Sequence, residues 1–268
     1  MLLIDTHTHL QFPDFEKDID QIIFRANTAG VKILINVGSD LAASRKAVEM
    51  AERYENAFAA VGIHPHDAKE FSEASFAEIE RMAEHPKVVA IGEIGLDYYR
   101  NLSSQQIQKE VVVRFLELAK KKNLPIVLHI RDAYPEMIAI LKENCEQPVK
   151  GVCHCFSGTR SHAEEMLRLG LYISFSGPVT YKKNDELREI AKMCPNDRIL
   201  IETDAPYLPP EGFRGKRNEP AFLLKTAQCI SELKQMPLEA FANTTAQNAI
   251  RVFGLPPNIE DDRRGISE

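Results

Sequence analysis

The stretch Met1-Leu-Leu-Ile-Asp-Thr-His-Thr-His-Leu10 is an apolar run that ends in two histidines separated by one residue. Side chains at i and i+2 of an extended strand share a face, so Asp5, His7 and His9 are expected to point the same way. Two imidazoles then converge on one point, with a carboxylate one step behind to orient a ring nitrogen, an arrangement that grips first-row or zinc-type cations. A solitary His-x-His is as readily one core histidine beside an exposed one. The rest of the chain decides between the two.

Beyond Leu10 the apolar pattern switches repeatedly between helical spacing and continuous runs. Helical spacing over Asp18–Ala29 leads into Lys32-Ile-Leu-Ile-Asn-Val-Gly38, and the same alternation predicts strands at Phe58–His64, Val88–Ile94, Pro125–Ile130, Lys150–Cys155, Leu171–Ser176 and Arg198–Asp204. Unbroken apolar runs mark strands buried on both faces, as in a parallel sheet. Eight β-then-α units without a break in composition predict a (β/α)8 TIM barrel, completed by two C-terminal helices over Glu219–Leu233 and Pro237–Phe253. One domain is expected over residues 1–255, with 256–268 a solvated tail carrying Asp261-Asp-Arg-Arg264.

A chain of 268 residues suits one such barrel, and its 44% apolar and 27% charged content is that of an ordinary globular protein. No apolar run is long enough to span a bilayer and no basic, cleavable leader opens the sequence, so a cytoplasmic location is expected. Cys145, Cys153, Cys155, Cys194 and Cys229 are odd in number and scattered, which argues for reduced thiols. Cys153 and Cys155 are expected to alternate away from His154 and face the helices. A net charge of −6 argues against a nucleic-acid coat protein but leaves room for a locally basic site.

Metal-binding residue types collect at the ends of six predicted strands: His7 and His9, His64, Glu93, His129, His154, and Glu202 with Asp204. That is the face on which barrel enzymes carry their active sites. Closure of the barrel brings Asp204 to His7 and His9, adjacent strands set His129 beside His154, and Glu93 reaches both groups. Two divalent ions (magnesium, manganese or zinc) are therefore expected about 3.5–4 Å apart, sharing a water that becomes hydroxide near neutral pH. Glu93 is the expected bridge and Asp204 the expected general base. Glu202 and Asp5 are expected to support the ligands or to serve a third metal.

The summed charge of such a centre, about +1, suits an anionic phosphodiester. Arg131, Arg160, Lys182, Lys183, Arg214, Lys216 and Arg217 follow strands five to eight on the same face, where with His64 and His66 they are expected to line a phosphate groove. Phe12, Tyr98, Tyr99, Phe156 and Tyr207 lie in those loops and suit stacking on unpaired bases. A hydrolase of small amides, lactones or phosphoesters is the alternative, because it would use the same metals.

Taken in order, Asp5-Thr-His-Thr-His9, Gly62-Ile-His-Pro65, Gly92-Glu-Ile-Gly-Leu-Asp-Tyr-Tyr99, Leu128-His-Ile-Arg-Asp-Ala133, His154-Cys-Phe-Ser-Gly158 and Glu202-Thr-Asp-Ala-Pro-Tyr-Leu208 resemble the TatD family of metal-dependent deoxyribonucleases. The resemblance runs from about Leu3 to Phe253. It implies an amidohydrolase-type barrel with two metals and room for a third, held by His7, His9, Glu93, His129, His154 and Asp204. It also implies DNase activity, often 3′ to 5′ on single-stranded DNA, linked to DNA repair. A monomer with DNA as its partner and no membrane is the expectation.

Overall fold

The computed structural model describes residues 1–256; the tail expected beyond Pro256 lies outside them. Eight strands run β1 (Leu3–Thr8), β2 (Val31–Val37), β3 (Ala57–Val61), β4 (Val88–Asp97), β5 (Ile126–Arg131), β6 (Gly151–Cys153), β7 (Tyr172–Phe175) and β8 (Ile199–Ile201). Between them lie α1 (Ile19–Thr28), α2 (Leu41–Arg53), α3 (Glu73–Met82), α4 (Gln105–Lys122), α5 (Tyr134–Asn144), α6 (Arg160–Arg168) and α7 (Asp185–Met193). Two further helices, α8 (Leu223–Leu233) and α9 (Leu238–Phe253), follow β8.

The strands pair in chain order, and each neighbouring pair is parallel. Closure at β8 and β1 comes from two backbone bonds just past the strand end, Asp204 N to His7 O at 2.9 Å and His9 N to Ala205 O at 2.8 Å. The result is a TIM barrel. Several helices start where a side chain satisfies a free amide: Asp40 accepts from Ala43 N, Ser104 from Ile107 N, and Ser72 and Thr159 form capping boxes.

Two apolar layers hold the barrel. The larger lies between strands and helices and includes Leu3, Leu34, Ile91 and Leu128 with Phe115 and Met137. The smaller fills the interior with alternate strand residues, among them Ile4, Ile33, Ile35, Phe58, Val127 and Leu200. Each such side chain contributes on the order of 1.5–3 kcal/mol on full burial. Ala246, Ala249, Val252 and Phe253 of α9 join the inner layer, and Asn248 Nδ2 bonds to Asn196 O and Ile199 O at the start of β8. α9 thus seals the amino-terminal mouth, leaving the carboxyl-terminal mouth for chemistry.

Several strand limits differ from the sequence reading: β3 and β8 stop at Val61 and Ile201, so His64, Glu202 and Asp204 follow their strands, and the limits of β4 and β6 have consequences for the site. β4 continues to Asp97 because Gly95, at φ +148°, lets β5 approach: a Cβ there would sit 1.9 Å from His129 O. β6 stops at Cys153, and Cys155 takes φ +42°, so it leaves the strand alternation and lines the cleft instead of facing the helices. Cys153 is fully buried, as expected.

Candidate metal centre

At the carboxyl-terminal mouth the Glu93 carboxylate lies between two sets of imidazoles. Its Oε1 is 2.8 Å from His129 Nδ1, 3.1 Å from His154 Nε2 and 3.4 Å from His64 Nε2. Its Oε2 faces the other way, 3.4 Å from His7 Nε2 and 3.8 Å from His9 Nε2. Asp204 Oδ1 completes that second group at 3.7 Å from His7 Nε2 and 3.5 Å from His9 Nε2. All six residues expected to hold metal are therefore gathered in one place, and His64 joins them beside Glu93.

Burial pushes the Glu93 carboxyl up, but His64, His154 and His7 together with the His129 hydrogen bond hold it well below the usual range. Burial likewise raises Asp204, and the bond from His9 together with the charges of His154, His7 and His9 outweighs it to a net lowering. His154 is driven down by burial yet carried well above its ordinary value by Glu202 and Glu93. His64 is pushed down to about 4, chiefly by burial. Among the described residues no Lys or Arg pairs with Glu93 or Asp204. Buried carboxylates ringed by imidazoles and lacking a cationic side chain are the donor set that a divalent cation completes.

The outer nitrogens support the same fit, since a metal-binding imidazole normally donates its other N–H to a fixed acceptor. His9 Nδ1 meets Val37 O at 2.7 Å, His154 Nδ1 meets Glu202 Oε1 at 3.0 Å, and His129 Nε2 meets Asp97 Oδ2 at 3.1 Å. Each of these histidines is turned so that its other nitrogen faces Glu93 or Asp204. Glu202 also accepts from Cys155 N at 2.7 Å, so it fixes the chain that carries His154.

Asp5 departs from expectation. A register irregularity falls between Asp5 and Thr8, and the Asp5 carboxylate accepts from Thr203 N at 2.9 Å and Thr203 Oγ1 at 2.5 Å. It orients no ring nitrogen; it braces the residue beside Asp204, with its own carboxyl pushed up to about 7, chiefly by burial.

The centre opens into a cleft of about 850 Å³. Of the expected substrate contacts, His64, His66, Arg131 and Lys183 line it, with Arg131 stacked 3.9 Å over Tyr99. Phe12, Phe156 and Tyr207 also line it, and the Phe12 ring stacks on His9 at 4.8 Å. Five expected cations, Lys182, Arg160, Arg214, Lys216 and Arg217, do not contribute to the wall. Arg160 pairs with Glu164, Arg214 lies over Tyr181, Lys216 lies over Phe213, and Arg217 is held by Asp18 and the Asp14 carbonyl. Glu164 and Phe213, close in sequence, engage Arg160 and Lys216, whereas Tyr181 and Asp18 reach Arg214 and Arg217 from other loops.

The sequence reading missed Arg100, which lines the cleft, and Asp97. Asp97 Oδ2 accepts from His66 Nε2 at 2.8 Å as well as from His129, and its Oδ1 accepts from Arg100 N at 2.7 Å. A signal was present: Glu93, Gly95 and Asp97 are spaced to share one face of β4.

A parallel barrel with imidazoles and carboxylates converging at the carboxyl ends of its strands defines a class, the barrel hydrolases that work with divalent metal. Comparison with known proteins narrows it. The family model "TatD related DNase" matches residues 4–254. The metal-dependent hydrolase YabD of Bacillus subtilis is 45% identical over 252 residues, covering 94% of this chain and 99% of its own. The 3′-5′ ssDNA/RNA exonuclease TatD of Escherichia fergusonii is 37% identical over 258 residues, covering 94% and 99%. The crystal structure of YJJV, a TatD homologue from Escherichia coli K12, superposes with a TM-score of 0.90 at 32% identity, covering 95% and 98%. The chain belongs to the TatD-related DNase family and is a metal-dependent hydrolase. No helix of the described residues is long and apolar enough to cross a membrane.

Proposed function

We propose that this hydrolase is an exonuclease that removes nucleotides from the 3′ end of single-stranded DNA, using two divalent cations shared by Glu93. The placement of Glu93 carries the reading, with one oxygen toward His129 and His154 and the other toward His7, His9 and Asp204. When bound, two such cations supply Lewis acidity, lowering the pKa of water and offsetting charge on phosphoryl oxygens. In this reading His7, His9 and Asp204 hold one cation and His129 and His154 the other, each set completed by Glu93. Asp204 turns Oδ1 to the histidines, which leaves Oδ2 to take the proton of the attacking water. Arg100, Arg131 and Lys183 hold phosphates along the cleft wall, and Phe12 and Tyr207 receive unstacked bases. The relatives named 3′-5′ ssDNA/RNA exonucleases support this substrate class. The five free cysteines suit a reducing cytoplasm, where a monomer would serve DNA repair.

A second reading, hydrolysis of a small ester, lactone or amide, is favoured by one observation. Asp67 and Glu186 stand in the cleft wall, while Arg160, Arg214, Lys216 and Arg217 are engaged elsewhere. One experiment separates the two: metal-stripped protein resupplied with magnesium, manganese or zinc is given 5′-labelled single-stranded DNA. The nuclease reading expects a ladder of shortened products that vanishes in Glu93→Ala and weakens with salt and in an Arg100→Ala/Arg131→Ala variant. No cleavage with any of the metals, alongside turnover of small esters or lactones, would establish the second reading.

A further inference from the structure

Of the five histidines placed around Glu93, His9, His129 and His154 donate an N–H from their outer ring nitrogen to an acceptor already described, and His64 Nδ1 accepts from His66 N at 3.1 Å. His7 is the exception. Its Nε2 looks into the centre, 3.4 Å from Glu93 Oε2 and 3.1 Å from His9 Nε2, which leaves Nδ1 as the outer atom, and Nδ1 is buried with no partner. A buried N–H without an acceptor costs about 1–3 kcal/mol, so its surroundings must explain it. The Glu202 carboxylate, fully buried, uses Oε1 for His154 Nδ1 and Cys155 N, and its Oε2 is a buried acceptor without a donor. The two unmatched groups sit on neighbouring residues: His7, His154 and Glu202 each offer an atom within 4.8 Å of the others, and the His7 and His154 rings stack at 3.8 Å between centroids.

We infer that Glu202 is a positioning residue shared by both halves of the centre, holding His154 through Oε1 and His7 through Oε2, the latter directly after a small rotation or across one water. Either link fixes the His7 proton on Nδ1 and keeps Nε2 free to bind a cation. One carboxylate then sets the tautomer of a ligand in each half. This rests on the two-cation reading above.

The glutamine substitution separates the two roles. In Glu202→Gln the amide oxygen still serves His154 and Cys155, because two donors meet at that position, and the amide nitrogen is left toward His7. There an N–H faces an N–H, and relief comes only if the His7 proton moves to Nε2, the atom a cation needs. The measurement is zinc affinity of metal-stripped protein, by competition with a chromophoric chelator, in two single-site backgrounds whose folding is checked by circular dichroism. In His129→Ala, which retains His7, His9 and Asp204, adding Glu202→Gln is expected to weaken zinc binding about 10–100-fold. In His9→Ala, which retains His129 and His154, the amide oxygen keeps the bond to His154 Nδ1, so the loss is expected to be clearly smaller than in His129→Ala, and equal losses in the two backgrounds would overturn the inference. Equal zinc affinity with and without Glu202→Gln in the His129→Ala background overturns the inference while leaving the two-cation reading intact. Fewer than two zinc ions in the unsubstituted protein would overturn that reading, and the inference with it.

Discussion

Replacing Asp97 with asparagine removes one acceptor from a point where three N–H donors meet. The His66 and His129 rings both donate to Oδ2, and the amide of Arg100 donates to Oδ1. Burial alone would push this carboxyl up; the bonds from His129, Arg100 and His66 bring it well below the carboxylate range, so the ionised form is the one the site is built around. Asparagine has the same shape but only one acceptor oxygen. If that oxygen faces the rings, the new NH2 opposes Arg100 N–H; if it faces Arg100, the NH2 opposes both rings. The first orientation leaves the Arg100 N–H unpaired and the second leaves both ring donors unpaired, at about 1–3 kcal/mol for each buried donor. Where the loss falls on His129 it frees that ring to turn from Glu93, and the corresponding cost in metal affinity is about 10–100-fold, or about 1.4–2.7 kcal/mol. Where it falls on Arg100, the cleft wall loosens and KM for an oligonucleotide rises instead. Zinc competition and steady-state kinetics on Asp97→Asn measure both arms. A folded variant with the zinc affinity and KM of the parent would refute the reasoning.

Two further outcomes follow from the same geometry. Gly95→Ala places a methyl 1.9 Å from His129 O at φ +148°, so about 2–6 kcal/mol of strain and overpacking is expected. Thermal unfolding should show it as a Tm loss of about 2–4 °C for each kcal/mol, and an unchanged Tm would contradict the close β4–β5 approach. Metal binding should also release protons at neutral pH. His154 sits above its ordinary value and must give up its proton to a cation, whereas His64, lowered to about 4, is already neutral. Affinity is therefore full above the raised His154 value and falls as pH drops below it, by about tenfold per pH unit for each proton displaced. Calorimetry in buffers of different ionisation enthalpy counts those protons, and a count of zero would contradict the assignment.

The barrel was legible in the sequence because parallel strands buried on both faces leave unbroken apolar runs, and because the residues at their carboxyl ends broke that pattern in the same place each time. His7, His9, Glu93, His129, His154 and Asp204 could be grouped from strand order alone. Side-chain engagement could not. Arg217 lies on a loop at the correct end of the barrel, but whether it faces substrate depends on Asp18, distant in sequence. Asp5 failed for a different reason: strict alternation assumes a regular strand, and β1 is irregular between Asp5 and Thr8. Cys155 failed because β6 ends two residues earlier than its apolar run.

The seal that α9 makes across the amino-terminal mouth bears on how the molecule comes into being. The inner layer needs Ile4, from the start of the chain, and Phe253, two hundred and more residues later. The ligands likewise run from His7 to Asp204. A nascent chain emerging from the ribosome can therefore form individual β-then-α units, but the set of ligands is incomplete until Asp204 has emerged and the interior is not closed until α9 has. Metal uptake becomes a late, nearly post-translational event, and a chain that stops short of α9 would expose the apolar lining of its own barrel.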